Sequence, residues 1–292
     1  MLERIFTILF PLFAIAALGY AVSCWRKPDM SESNSLMMDV FAPALIFSAL
    51  SSNNFHIAEY FPLMGATVLL IASCGVFGWG AARIMKISPI AAIPTMMFNN
   101  CGNLGIPLAL FTFGEDALAP AIVMFMVTSL VQFSFGAWLL DRNTRLISLW
   151  KIPTVFATIA GMMVSLMSIS IWPPLQTSIK MVGEIVVPLM LFSLGVRISG
   201  SRVDEIGFGI LGGFLRPAVG ALAAATIALV LGLPPKQVSM LILYGALPPA
   251  VINLMFAERY QREPGKVASM VFLGHFVSLI TLPIALAWIL GH

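Results

Sequence analysis

Long apolar blocks alternate with short polar ones along almost the whole chain. The apolar blocks fall at about residues 5–25, 35–52, 58–82, 89–112, 117–140, 153–172, 177–198, 207–231, 237–257 and 267–290. Each is close to the roughly 20 residues that a helix needs to cross a hydrocarbon core. The pattern therefore predicts an all-α polytopic membrane protein with ten transmembrane helices. The polar stretch from Asp141 to Ile152 divides them five and five: a first repeat at 1–140, a cytoplasmic linker at 141–152 and a second repeat at 153–292. The first block, about Ile5 to Trp25, runs into Arg26-Lys27 rather than a small-residue cleavage site, so it is expected to remain as a transmembrane helix.

The polar blocks carry the sidedness. With the N-terminus outside, the cytoplasmic loops hold Arg26, Lys27, Arg83, Lys86, Arg142, Arg145, Lys151, Arg197, Arg202, Arg259, Arg262 and Lys266. The outer side holds only Arg4, Lys180 and Lys236, and Arg216 falls inside a block. This asymmetry is what the positive-inside rule demands, and it persists through both halves. A miscounted helix would invert every later loop. Both termini are expected outside.

The two halves also resemble each other. Asp39-Val-Phe-Ala-Pro43-Ala-Leu-Ile-Phe47-Ser48 in the second block recurs as Glu184-Ile-Val-Val-Pro188-Leu-Met-Leu-Phe192-Ser193 in the seventh. In the fourth and ninth blocks, Gly102-x-Leu104 and Phe113-x-Glu115 match Gly245-x-Leu247 and Phe256-x-Glu258. Five helices per half is an odd number, so the second half enters the membrane inverted. Inverted repeats are frequent among secondary transporters.

Composition agrees with the pattern: 59% of residues are hydrophobic and 10% charged, with a mean hydropathy of +0.96. Soluble domains carry about 25% charged residues. The formal charge of +3 gives no reason to expect a nucleic-acid partner. Cys24, Cys74 and Cys101 lie in or beside apolar blocks with neither disulfide nor metal-ligand spacing, so no metal or cofactor is expected.

The candidate chemistry sits where the apolar pattern breaks. Phe98-Asn99-Asn100-Cys101-Gly102-Asn103-Leu104-Gly105-Ile106-Pro107 interrupts the fourth block. Asparagine in hydrocarbon needs hydrogen-bond partners, and glycine with proline breaks a helix and frees backbone groups. Pro248-Pro249 followed by Asn253 breaks the ninth block and frees carbonyls near Tyr244 and Gly245. The economical arrangement has both helices unwound and crossing at the midplane, their half-helix N-termini presenting partial positive charge to an anion. The candidate substrate-binding set is Asn100, Asn103, Gly102, Gly105, Pro107, Pro248, Pro249 and Asn253. Arg216, beside Pro217, is either a counter-charge for a carboxylate or a structural partner of a freed carbonyl. Asp39 and Glu184, each four residues before a proline, are candidate ion or proton sites, as is His275 in the tenth block. The alternative for each is a hydrogen-bonded structural role.

Asn100-x-Gly102-x-x-Gly105-Ile106-Pro107-Leu108 resembles the fourth-helix motif of the auxin efflux carrier family, which includes bacterial malonate transporters. Ala246-Leu247-Pro248, then Phe256-Ala257-x-x-Tyr260, is similar to that family's ninth-helix pattern. The likeness covers essentially the whole chain. It implies the ten-helix crossover fold shared with bile-acid sodium symporters. Helices one, two, six and seven would form a scaffold, and the other six a transport domain. The implied substrates are small organic anions such as mono- or dicarboxylates, with Asn100 as the substrate contact. The central loop is short and Pro249 and Asn253 depart from plant members, so a bacterial inner-membrane location fits better than auxin transport.

The expected function is a secondary transporter of a small, malonate-like organic anion working by alternating access, and not an enzyme. Alternatives are a sodium- or proton-coupled symporter of larger amphipathic anions, or a non-transporting membrane sensor. An intramembrane enzyme would need a catalytic cluster such as His-Glu-x-x-His, and nucleotide-driven pumping a Gly-x4-Gly-Lys-Ser/Thr loop; neither occurs. The partners expected are the substrate and the lipid bilayer, with H+ or Na+ as candidate coupling ion and a homodimer as candidate assembly.

Overall fold

The computed structural model describes residues 1–51, 57–84, 86–140, 153–200 and 205–291. The expected linker at 141–152, with Arg142, Arg145 and Lys151, and also Arg202, lies outside the described residues. Helix is the only regular structure among the described residues, and the one extended pairing is a bridge between Asn99 and Pro249. In hydrocarbon a helix satisfies its own backbone, which is why apolar blocks of this length adopt it.

Seven helices are long and apolar enough to cross a membrane: α1 (Leu2–Arg26), α2 (Ser31–Leu50), α3 (Ile57–Ile84), α6 (Glu115–Gly136), α8 (Pro173–Ser199), α9 (Ile206–Leu231) and α12 (Pro264–Gly291). Two shorter apolar helices are α5 (Cys101–Phe113) and α7 (Pro153–Leu166). Three more are short, α4 (Pro89–Met97), α10 (Pro235–Gly245) and α11 (Ile252–Arg259), and a last turn at Ala137–Leu140 continues α6. The apolar block expected at 89–112 is thus two helices, α4 and α5, interrupted at Phe98–Asn100. The block at 237–257 is likewise α10 and α11, interrupted at Ala246–Val251. The block expected at 153–172 stops being helical after Leu166, and the next helix starts at Pro173, earlier than its apolar run. Proline at the first turn explains that early start, since its missing N–H is not needed there. In α2, Pro43 follows a widened π turn at Met37–Phe41, which contains Asp39.

The helices pack into two groups. In one, α1 lies along α8, and α2 packs on α7 and α8. In the other, α9 packs on α12, α10 and α3, while α3 also packs on α4 and α6. Glycines permit the closest approaches, and they fall inside the groups. A Cβ on Gly195 would lie 1.8 Å from the Ala16 carbonyl oxygen, and one on Gly220 would lie 2.1 Å from that of Gly245. Between the groups run cavities instead. One of about 420 Å³ separates α2 and α7 from α3 and α6, and one of about 680 Å³ is lined by Lys180, Glu115, Asp116 and Lys236.

At one end of the molecule the turns before α4 and before α12 meet. The Ser88 amide donates to Glu263 Oε2 at 2.6 Å, and Lys266 Nζ lies 2.9 Å from Glu263 Oε1. Partial burial opposes the charge on Glu263, but the Lys266 ammonium and the Ser88 amide together hold its carboxyl below the usual carboxylate range. At the opposite end Lys180 pairs with Glu115 at 2.9 Å, across the two groups.

Gly195→Ala should separate α1 from α8 and lower stability by about 2 kcal/mol or more, seen as a lower midpoint of thermal unfolding in detergent. Gly65→Ala, where an added Cβ meets nothing within 4 Å, should leave that midpoint unchanged. Because its folded-state pKa is depressed, Glu263 contributes stability that is present above the ordinary carboxylate pKa. That contribution is lost as pH falls through the depressed value. Glu263→Gln should therefore flatten the acid side of the stability profile.

Candidate functional site

The two interrupted helices cross at their breaks. The Asn100 amide donates to the Pro248 carbonyl at 2.9 Å, and the Ala250 amide donates to the Phe98 carbonyl at 2.9 Å, around the Asn99–Pro249 bridge. Pro248 and Pro249 favour this extended backbone and have no amide to leave unpaired. The carbonyls freed at the two breaks are then taken up reciprocally by asparagine side chains. Asn99 Nδ2 donates to the Tyr244 carbonyl at 2.5 Å, at the end of α10. Asn253 Nδ2, from the start of α11, donates to the Phe98 carbonyl at 2.9 Å, at the end of α4. Gln132 on α6 donates to Asn253 Oδ1 at 3.3 Å, and the Tyr244 hydroxyl donates to the Ala121 carbonyl at 3.0 Å.

Arg216 completes this frame. It is 1% exposed and donates from one terminal nitrogen to the carbonyls of Gly245 and Leu247, both at 2.6 Å. The cation thus sits at the negative C-terminal end of α10, where it opposes the helix dipole. Gly220, one turn later on the same face, brings the α9 backbone against Gly245. Of the two roles open to Arg216 in the sequence, this geometry supplies the partner of freed carbonyls; Arg216 is not among the residues lining the cavity described next.

A cavity of about 410 Å³ opens beside the crossing. One wall belongs to the group of the crossing and includes Asn99, Asn100, Gly102, Asn103, Gln132 and Ile252; the other belongs to α2 and α8 and includes Asn34, Asp39, Met190 and Arg197. The N-terminal turn of α5 faces this space, and the amides of Gly102 and Asn103 have no backbone acceptor among the described residues, the Gly102 amide being turned to the Cys101 thiol. Asn99 Oδ1 is likewise buried without a hydrogen-bond partner there. The cavity reaches Asn34 at the start of α2, Phe133 late in α6 and Arg197 late in α8. It therefore lies toward the end that carries most of the basic loops.

Asn100 is 4% exposed, and its Nδ2 lies 2.7 Å from His275 Nε2. Gly105 packs against Leu247 and Tyr244, where a Cβ would lie 2.9 Å from a Leu247 methyl. Pro107 is buried in the first turn of the regular part of α5. Pro249 abuts Gly274 on α12. Among the candidate ion sites, Asp39 lines the cavity, whereas Glu184 lies 3.9 Å from Lys180, away from it. Arg197 and Gln132 were not singled out from sequence. Arg197 reads as one more basic residue at a helix end. Gln132 carried a usable signal: a lone amide in the apolar run from Leu118 to Val131 and beyond.

The profile of the family described as "Membrane transport protein" matches residues 4–144 and 142–286, nearly the whole chain. The chain belongs to this family. It is the family of the auxin efflux carriers that the fourth- and ninth-block motifs resemble. Curated relatives are distant but nearly full-length. An uncharacterized transporter of Methanocaldococcus jannaschii is 23% identical over 276 residues, covering 88% of each chain. An uncharacterized transporter of Escherichia coli is 23% identical over 284 residues, covering 86% of this chain and 87% of the relative. A Rhizobium meliloti protein named "Putative malonate transporter" is 22% identical over 300 residues, covering 94% of this chain and 92% of the relative. Membership makes the chain a membrane transporter, with a substrate and a bilayer environment.

Arg216→Met leaves the Gly245 and Leu247 carbonyls buried without donors, at about 1–3 kcal/mol each. The variant should lose thermal stability and folded yield in detergent. Arg216→Lys should recover part of both, because it keeps the charge and a donor but not the reach to both carbonyls.

Proposed function

We propose that the protein carries a small organic anion, a mono- or dicarboxylate of malonate type, by alternating access. The single observation that carries this reading is the crossing of two interrupted helices beside a polar cavity. Irregular backbone at membrane depth is tolerated where it lines a cavity, and in transporters that place is usually the substrate site. Anion preference follows from the start of α5, where the Gly102 and Asn103 amides have no backbone acceptor, the Asn103 side chain and Arg197 in the facing wall, with Asn100 as the further substrate contact. Gly102 keeps the approach to those amides free of a side chain. Gly105, Pro107, Pro248, Pro249, Asn253 and Arg216 hold the crossing in place behind them.

In this reading α4 with α5, and α10 with α11, are the fourth and ninth of ten spans arranged as an inverted repeat of five and five. The group of α1, α2, α7 and α8 is the scaffold, and the other group moves against it. With both termini outside, the cavity opens to the cytoplasm, and the Lys180–Glu115 pair closes the outer end. The name of the Rhizobium meliloti relative supports a dicarboxylate, and the family supports transport.

A thermal-shift screen of the purified protein against small carboxylates, with and without sodium, should single out the substrate. Asn100→Ala should abolish uptake of that acid into proteoliposomes while leaving the amount of folded protein unchanged. Uptake at the wild-type rate in this variant would refute the site.

A further inference from the structure

His275 has both ring nitrogens engaged. Nδ1 lies 2.7 Å from the Val271 carbonyl oxygen, and Nε2 lies 2.7 Å from Asn100 Nδ2. A carbonyl only accepts, so Nδ1 carries the ring proton; the bare Nε2 then accepts from the Asn100 amide. This fixes the orientation of Asn100. Its Nδ2 is turned to the ring, and Oδ1, an acceptor, is the end of the amide left on the side away from His275. That is the wrong polarity for a carboxylate arriving from the cavity that Asn100 lines.

Protonation of the ring reverses this. Nε2 takes a proton from water, Nδ1 keeps its bond to Val271, and the imidazolium becomes a donor at both nitrogens. The Asn100 amide must then turn by half a rotation, so that Oδ1 accepts from Nε2–H and both Nδ2 hydrogens become available to an anion. We propose that His275 holds a co-transported proton, taken up together with the organic anion and released with it. The inference rests on the reading of Asn100 as the substrate contact.

The surroundings support a proton that arrives only with its anion. His275 is 5% exposed, and on its other side it borders an apolar cavity of about 400 Å³ between α12 and α1 with α8. Ionisable residues on the elements packed around α12 are Glu3, Arg4, Tyr20, Cys24 and Arg26 on α1 and Arg216 on α9. Lys236 and Tyr244 on α10, Glu258 and Arg259 on α11 and Cys101 on α5 complete them; α4 has none. The acids among them, Glu3 and Glu258, sit in the terminal turns of their helices, and Arg216 and Tyr244 are engaged with backbone carbonyls. No carboxylate on these elements stands within the span to balance an imidazolium, and the facing wall of the cavity, on α2 and α8, carries one acid, Asp39, and one base, Arg197, and so no net charge. A lone charge at that depth is costly. The substrate's carboxylate is the group that balances it, so each of the two ligands strengthens the binding of the other by the same factor.

The test is calorimetric titration of malonate into the purified full-length protein, in buffers of different ionisation enthalpy. Wild-type protein should take up close to one proton per malonate bound, with affinity falling about tenfold per pH unit on the alkaline side. In His275→Gln the amide nitrogen reaches about as far as Nε2 and donates permanently to Asn100 Oδ1. This variant, checked for a monodisperse fold, should bind malonate with no proton uptake and no such pH dependence. Malonate binding to the wild type without proton uptake, or uptake that survives in His275→Gln, would overturn the proposal. Asn100→Ala separates the two levels. Loss of binding there, together with zero uptake in the wild type, removes only the proton; unchanged binding there removes the site itself.

Discussion

Everything in the structure depends on the backbone pairing between the two broken helices. Interrupting a helix at membrane depth exposes carbonyls and amides that water cannot reach, at several kcal/mol for each group left alone. The chain answers nearly group by group. Phe98 is matched by Ala250 and Asn253, Tyr244 by Asn99, Gly245 and Leu247 by Arg216, and Pro248 by Asn100. Neither break is satisfied by its own segment alone; each also needs residues of the other or Arg216. The two breaks therefore form one unit, and each is stable only because the other is present. Among the described residues Arg216 Nε is left unpartnered within the frame and Asn99 Oδ1 at the cavity, where the Gly102 and Asn103 amides also lack a backbone acceptor.

A second contrast separates what is rigid from what is open. Gly19, Gly183 and Gly195 bring the backbones of α1, α2 and α8 together, and Gly209, Gly213 and Gly220 do the same for α9 against α12 and α10. At such distances a single methyl does not fit, so each group is fixed internally. Along the seam between the groups the chain leaves cavities. Close packing resists continuous deformation, and a seam with few close contacts is where relative motion meets least resistance.

Much of this was legible in the sequence. The apolar blocks located the helices, because length and hydropathy are what the bilayer selects. The Asn-Gly-Pro run and Pro248-Pro249 located the breaks, because those residues destabilise a helix in any surroundings. Even the freed carbonyls near Tyr244 and Gly245 followed from proline's missing donor. The partners did not follow. That Arg216 would reach Gly245 rather than a ligand depends on Gly220 bringing two backbones together, a tertiary fact with no periodic signal. Arg197 reads as one more basic residue at a helix end, and only the position of α8 beside the crossing turns it into cavity wall. The seven long helices and several short ones also show that hydropathy alone reads a broken span as continuous, since Asn99 and Asn100 interrupt the backbone without interrupting the apolar block.

The placement of charge then bears on how the seam works. The cavity's two walls belong to different groups: the asparagines move with the crossing, while Asp39 and Arg197 belong to α2 and α8. A carboxylate held by both walls would draw the groups together at that end. At the other end, Lys180 and Glu115 already join them, with side chains 47% and 76% exposed. An ion pair in that much water contributes at most about 1 kcal/mol. A contact of that strength can hold one end closed without trapping it, whereas the buried pairing of Asn99, Asn100 and Asn253 is far too costly to break in a cycle. On the reading proposed above, the frame at the crossing must therefore travel intact, and the change of access is confined to the weak contacts along the seam.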